Sequence, residues 1–220
     1  MTKLYSDRYT SGEKALSEQE YKKLLETISD LQDELLIRMA ASTGLRREDL
    51  CSVEIGKINV QEGTLTFHEH KKDSVKREAS KFVDVEGKRV KIRGKPLLVD
   101  GKVVPIERWR TINLQPTVLT CLEKFWRTLP KEERHNRYYL FSFRGRQAYN
   151  RFNAWCVKAG IPERPFHALR ATCIKFCHAN GWADEAISKL TGDSIAVIQA
   201  HYMTPSVSEM KSITQGKGFA

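Results

Sequence analysis

A histidine and an arginine three residues apart, in His167-Ala168-Leu169-Arg170, share one face of a helix and can hold a phosphate between them. Tyr202 follows after a further helical segment, and a phenol beside fixed cations can act as a covalent nucleophile. Upstream, Thr43-Gly44-Leu45-Arg46 sets another arginine at a helix start, and the lysine pair Lys71-Lys72 follows a strand-like stretch. Metal-free attack on a phosphodiester calls for such a set. Its non-bridging oxygens need fixed cationic donors, and the planar fork of arginine suits them best. The leaving 5′ oxygen needs a proton, which lysine or histidine can donate. A tyrosine with an ordinary pKa of about 10 needs cations nearby to become a nucleophile. Catalysis then rests on positioning and electrostatics.

The elements that must position these groups are legible in the hydrophobic period. Ser17 before Glu18-Gln19-Glu20 is a capping signature, and Tyr21, Leu24, Leu25 and Ile28 follow at helical spacing. A second helix is expected from Leu31 to Ser42, stopped at Thr43-Gly44, and a short third from Arg47 to Val53. The period then changes. Residues 57–60, a turn at Gln61-Glu62-Gly63 and residues 64–67 read as a β-hairpin. Alternation continues from Phe82 to Ile112, punctuated by glycine, which suggests one or two extra basic hairpins within 77–110. Helices are expected from Pro116 to Trp126, Asn150 to Ala159, His167 to Asn180, Asp184 to Leu190 and Ile195 to Tyr202. Helices, a small antiparallel sheet, then helices indicate a mainly helical α+β domain without βαβ alternation. Residues 1–14 read as a polar leader, 15–205 as the domain that carries the chemistry, and 206–220 as a tail.

The chain of 220 residues can bury a proper core. Its 37 basic against 27 acidic residues give +10 and an isoelectric point near 9.4, which favours nucleic acid over a membrane surface. The polar N-terminal segment lacks the apolar core of a secretion signal, and no apolar run approaches the ~20 residues that cross a bilayer. A cytoplasmic, DNA-associated protein is therefore expected. Cys51, Cys121, Cys156, Cys173 and Cys177 suit reduced core thiols better than disulfides. Cys173, Cys177 and His178 lack the further ligands of a zinc site. No glycine-rich phosphate loop is present, so neither ATP nor NAD is implied, and no cofactor or metal is expected.

Taken together, Thr43-Gly44-Leu45-Arg46-Arg47-Glu48-Asp49-Leu50, the hairpin lysine, Pro165-Phe166-His167-Ala168-Leu169-Arg170, Leu190-Thr191-Gly192 and Tyr202 resemble the catalytic domain of the tyrosine recombinases, or phage-type integrases. The likeness runs over roughly residues 15–205. It implies that Arg46 and Arg170 grip the scissile phosphate and that His167 contacts it or assists proton transfer. Lys71 would protonate the leaving 5′-hydroxyl, with Lys72 the alternative, and Tyr202 would become joined to the 3′-phosphate. Arg47 is the alternative to Arg46 should the register differ by one. The ester conserves energy, so DNA is rejoined without ATP or metal. The implied partners are double-stranded DNA and further copies of the chain, up to a tetramer on DNA. A related accessory DNA-binding protein without efficient chemistry and a type IB topoisomerase are the alternatives. The first reading implies a role in DNA integration, as in a mobile element or the integration of a viral genome.

One position departs from that pattern. Nine residues before the tyrosine the family usually has histidine or tryptophan, a donor to the phosphate; here the slot holds Asp193. An ionised aspartate only accepts hydrogen bonds and repels phosphate. It pairs with a neighbouring cation, or Ser194 donates in its place, or turnover is reduced. Elsewhere, His68-Glu69-His70 sets two histidines on one strand face, either as a metal pair or as polar decoration of a hairpin tip. Lys88-Arg89, Lys91, Arg93 and Lys95 form a solvated face or touch backbone phosphates. Trp109-Arg110 and Tyr138-Tyr139 read as core and edge aromatics.

Overall fold

A computed structural model describes residues 14–70, 74–86 and 88–203. Lys71, Lys72 and the 206–220 tail lie outside the described residues, as does most of the leader.

Local signals in the sequence set the first helices. Helix α1 (Glu18–Thr27) begins at a full capping box: the Ser17 hydroxyl accepts from Glu20 N–H at 3.1 Å, and Glu20 returns to Ser17 N–H at 2.8 Å. Helix α2 (Leu31–Thr43) starts on the Asp30 side chain and ends at Gly44, whose φ of +63° is a left-handed cap open to glycine at little cost. Leu35, Leu36, Ile37, Met39 and Ala40 are buried around most of its circumference, so α2 is the central helix of the core. Arg47–Cys51 forms α3, shorter than the expected reach to Val53. The carbonyl of Val53 instead accepts from Leu140 N–H, which pulls the chain out of the helix.

Strands β1 (Ile58–Asn59) and β2 (Thr64–His68) make the hairpin, and β9 (Trp109–Asn113) returns to pair antiparallel with β2. Leu65, Phe67 and Ile112 face the core, while Thr66 and Thr111 join hydroxyls on the outer face. Between β2 and β9 the chain makes β3 (Ser74–Val75), β4 (Lys81–Val85), β5 (Lys88–Ile92), β6 (Leu98–Val99), β7 (Lys102–Val103) and β8 (Pro105–Ile106). These pair as β3 with β8, β4 with β5 and β6 with β7, all antiparallel.

The C-terminal part is helical: α4 (Pro116–Thr128), α5 (Lys131–Asn136), α6 (Gly145–Lys158), α7 (His167–Ala179), α8 (Asp184–Thr191) and α9 (Ile195–Ile198). The sequence reading lacks α5 and starts α6 five residues late, at Asn150. Gly145 opens α6 after Arg144, whose main-chain N–H donates to the Gln147 side chain, and it lies close beside the end of the Glu48 side chain of α3. The final segment is not one regular helix. After α9 the chain widens into a π-helical turn over Gln199–Met203, which carries Tyr202. Helices α4 and α7 pack on α2, and the apolar residues form one main cluster and a smaller one. The smaller cluster is Ala171, Cys173, Ile174, Cys177, Ile187, Ile198 and Tyr202. All five cysteines are buried and free.

One buried polar joint ties α2 to α6. The Asp33 carboxylate, 3% exposed, accepts from Arg151 Nη1 at 2.8 and 2.9 Å and from Trp155 Nε1 at 2.7 Å. Asp33→Ala strips the indole N–H and the guanidinium of their acceptor. Urea unfolding should show a loss of about 1–3 kcal/mol, chiefly from the buried indole N–H, since Arg151 is 41% exposed and can turn to water. A loss under about 0.5 kcal/mol, the range of surface substitutions, would show that the joint is not a stabilising one.

Candidate active site

Four residues from three separated segments converge on one cleft of about 660 Å³, or border it. It is lined by Leu45, Arg46, Asp49, His70, His167 and Arg170 among others. Arg46 sits immediately before α3 and reaches the Asp193 carboxylate; its neighbour Arg47 also lines the cleft but pairs with Glu48 at 2.9 Å. His167 and Arg170 lie one turn apart at the start of α7, as their spacing requires. Tyr202 comes from the π-helical turn, and its hydroxyl meets His167 Nε2 at 2.9 Å.

Arg170 is the hub of this arrangement and is 2% exposed. Its Nη1 donates to the carbonyl of Gly44 at the C-terminus of α2, and Nη2 donates to Thr191 O at the end of α8, at 2.9 Å. Two helix ends, each carrying partial negative charge, thus face one buried guanidinium. Gly44 also allows the approach of α7 and α8: an added Cβ would come within 3.0 Å of Thr191 Cγ2.

Helix α8 is held at its C-terminus by arginines. Of its last four carbonyls, Ser188 O accepts from Gly192 N–H, Lys189 and Leu190 O accept from Arg110 Nη2, and Thr191 O accepts from Arg170. Arg110 in turn donates to Oε1 of buried Glu69 at 2.8 Å, and that oxygen lies 3.9 Å from Arg46 Nη1. Gly192, with φ of +77°, makes room for this pair, since a Cβ would lie 2.2 Å from Arg110 Nη1. Arg110 and Glu69 were not candidates in the sequence. Arg110 enters the sequence only beside Trp109, read as a core or edge aromatic, and the β2–β9 pairing brings it beside α8. Asp49 was likewise unassigned. It is buried and accepts from both the main-chain N–H and Nδ1 of His70, each at 3.1 Å, which pins the end of β2 over α3. His70, which lines the cleft, is the last described residue before Lys71 and Lys72.

Asp193 lies between α8 and α9, with its carboxylate between the two arginines. Oδ1 accepts from Arg46 Nη2 at 3.0 Å, while Oδ2 accepts from Arg170 Nε at 3.1 Å and lies 2.6 Å from Nη2. The pairing with cations expected from the sequence is present. The Ser194 hydroxyl accepts from Val197 N–H and caps α9, which uses its oxygen and leaves its O–H as a donor.

Burial sets the proton affinities. It pushes the Tyr202 phenol above its ordinary value, against the opposing pull of Arg170 and Arg46. It pushes the His167 imidazole below its ordinary value, and Arg170 adds to that shift. At neutral pH the pair is therefore a protonated phenol beside a neutral imidazole, a donor matched to an acceptor.

The other candidates are placed elsewhere. His68 stacks between His70 and Trp109, with ring centroids at 4.3 and 5.2 Å. Cys173 and Cys177 hydrogen-bond one another inside the smaller cluster, while His178 is exposed. Among the described residues no group of three or more His, Cys, Asp or Glu is placed to hold a metal. Nor is any described helix long and apolar enough to cross a membrane. Tyr138 is 61% exposed and Trp109 42%, both on the surface rather than in the core.

Known proteins share this fold. The sequence model of the phage integrase family matches residues 14–208. Over 55 residues the chain is 42% identical to tyrosine recombinase XerA of Pyrococcus furiosus, a stretch covering 24% of this chain and 19% of that protein. Its fold is similar to the crystal structure of XerA recombinase, with a TM-score of 0.64 at 19% identity over 94% of this chain and 64% of that one. It is also similar to the Tn1549 transposon integrase in complex with transposon right end DNA, with a TM-score of 0.59 at 14% identity, covering 93% and 66%. A third is the XerH site-specific recombinase bound to its difH substrate in a post-cleavage complex, at 0.56 and 14%, covering 92% and 52%. The chain spans less than two thirds of the length of each of these proteins.

Proposed function

Because the chain belongs to the phage integrase family, we propose that it breaks and rejoins double-stranded DNA at specific sites through a 3′-phosphotyrosyl intermediate. Residues 15–205 would be the catalytic domain. Arg46 and Arg170 each hold one non-bridging oxygen of the scissile phosphate, and as fixed cations they stabilise the charge that grows there. His167 accepts the phenol proton through Nε2. The Tyr202 oxygen attacks phosphorus, the bond to the 5′ oxygen breaks, and Lys71, or Lys72 beside it, supplies the proton that makes a 5′-hydroxyl. A 5′-hydroxyl from a second strand reverses these steps. Further copies, up to four on DNA, would exchange the strands, with the 206–220 tail packing on a neighbouring protomer.

The observation that carries this reading is the 2.9 Å contact of Tyr202 with His167 beside a cleft lined by Arg46 and Arg170. Asp193 between those arginines favours a second reading, a DNA-binding accessory protein with little chemistry. A single experiment separates the two. Double-stranded DNA selected from a random pool by binding to the protein is nicked to give suicide substrates. Protein linked to DNA through Tyr202, resistant to denaturant and identified by peptide mass, supports the recombinase. Tight binding with no adduct on any selected substrate supports the accessory protein.

A further inference from the structure

We propose that Asp193 is a built-in stand-in for the scissile phosphate, competing with DNA for the arginine clamp. The inference rests on the reading of Arg46 and Arg170 as that clamp. A phosphodiester offers two non-bridging oxygens, one for each arginine. The Asp193 carboxylate offers two oxygens in the same relation, Oδ1 to Arg46 and Oδ2 to Arg170. The guanidinium of Arg170 has no spare edge. Nη1 serves Gly44 O, Nη2 serves Thr191 O, and the Nε–Nη2 edge, the one able to chelate an oxyanion, faces Asp193. Phosphate cannot take that edge while the carboxylate holds it, and the two anions repel at such range.

The surroundings allow the side chain to leave alone. The main chain at Asp193 is anchored, since its carbonyl accepts from Ser188 Oγ at 2.7 Å and Ser194 caps α9. The helices on either side therefore stay in place while rotation about the Asp193 Cα–Cβ bond empties the seat. The carboxylate is about one tenth exposed, so it already borders solvent at one side of its seat. Until DNA arrives, it also relieves the repulsion between two arginines aimed at one point. Productive binding thus requires a phosphate that both arginines engage at once, which weakens capture of DNA whose backbone is out of register.

Inorganic phosphate is the probe, followed by calorimetry with the full chain and with Asp193→Asn and Asp193→Ala. Both variants should bind phosphate about tenfold or more tightly than wild type, since an attractive seat replaces a charged competitor. In adduct formation on suicide DNA they should lower the apparent KM with kcat little changed, the mark of a ground-state competitor rather than a catalytic group. Unchanged or weaker phosphate binding by either variant, folded with the wild-type unfolding m-value, overturns the proposal and makes Asp193 a strut. Wild type gives an independent reading: the 13C signal of the Asp193 carboxyl must shift as phosphate saturates the site, and binding without that shift overturns it too. Tighter phosphate binding with no adduct in any variant leaves the stand-in established and removes the DNA-breaking function instead.

Discussion

Arg170→Ala should lose strand cleavage by about a thousandfold or more, the scale seen when a preorganised donor to a developing charge is removed. It should also loosen the fold, for one physical reason. The guanidinium is buried and satisfies the end of α2, the end of α8 and the Asp193 carboxylate together. Removing it leaves a buried carboxylate and two carbonyls without that donor, at a cost of about 3–5 kcal/mol. Arg170→Lys separates the two effects. An ammonium on a flexible stem restores the charge but cannot span both carbonyls and chelate an oxyanion. Stability should recover in part while cleavage stays far below wild type. Urea unfolding and single-turnover adduct formation measure the pair. Cleavage by Arg170→Ala within tenfold of wild type would mean that this arginine does not hold the reacting phosphate.

Tyr202→Phe should abolish the covalent adduct and leave the protein folded. The ring is part of the smaller apolar cluster and phenylalanine keeps that packing, so the loss is confined to the hydroxyl's bonds to His167 and Arg170, each worth about 1 kcal/mol. Adduct formation by the variant would show that another residue is the nucleophile. The same pair predicts a pH dependence. Burial and Arg170 lower the proton affinity of His167, so its neutral, proton-accepting form persists below the ordinary histidine value of 6.5. Adduct formation should hold as pH falls through 6.5 and decline only at lower pH, as His167 takes a proton and can no longer accept one from the phenol. The raised affinity of Tyr202 means that the phenol keeps its proton across this range and needs that acceptor. His167→Gln should lower the rate and remove the acid limb, while Tyr202→Phe removes the reaction altogether. An acid limb unchanged in His167→Gln would assign the proton transfer to another group.

Much of this molecule is written in short stretches of chain. The capping box at Ser17 and Glu20, the left-handed stop at Gly44 and the pairing of His167 with Arg170 on one helix face depend only on neighbours a few residues away. Local sequence therefore reveals them, and it reveals the order of residue types in which the family likeness resides. The sequence also raised the question of Asp193, because the wrong charge at a fixed spacing is visible without a fold. It could not answer it. Arg46 reaches Asp193 across 147 positions of chain, and Arg170 reaches Gly44 across 126. Arg110 and Glu69 acquire their roles only when β9 lies down beside β2, and the π-helical turn at Tyr202 departs from the regular helix that its period suggested. Residue types and spacings settled which groups are present, since these are properties of the chain. Which oxygen faces which guanidinium was decided by the tertiary structure alone, because burial and long-range packing choose among partners that local sequence leaves equivalent.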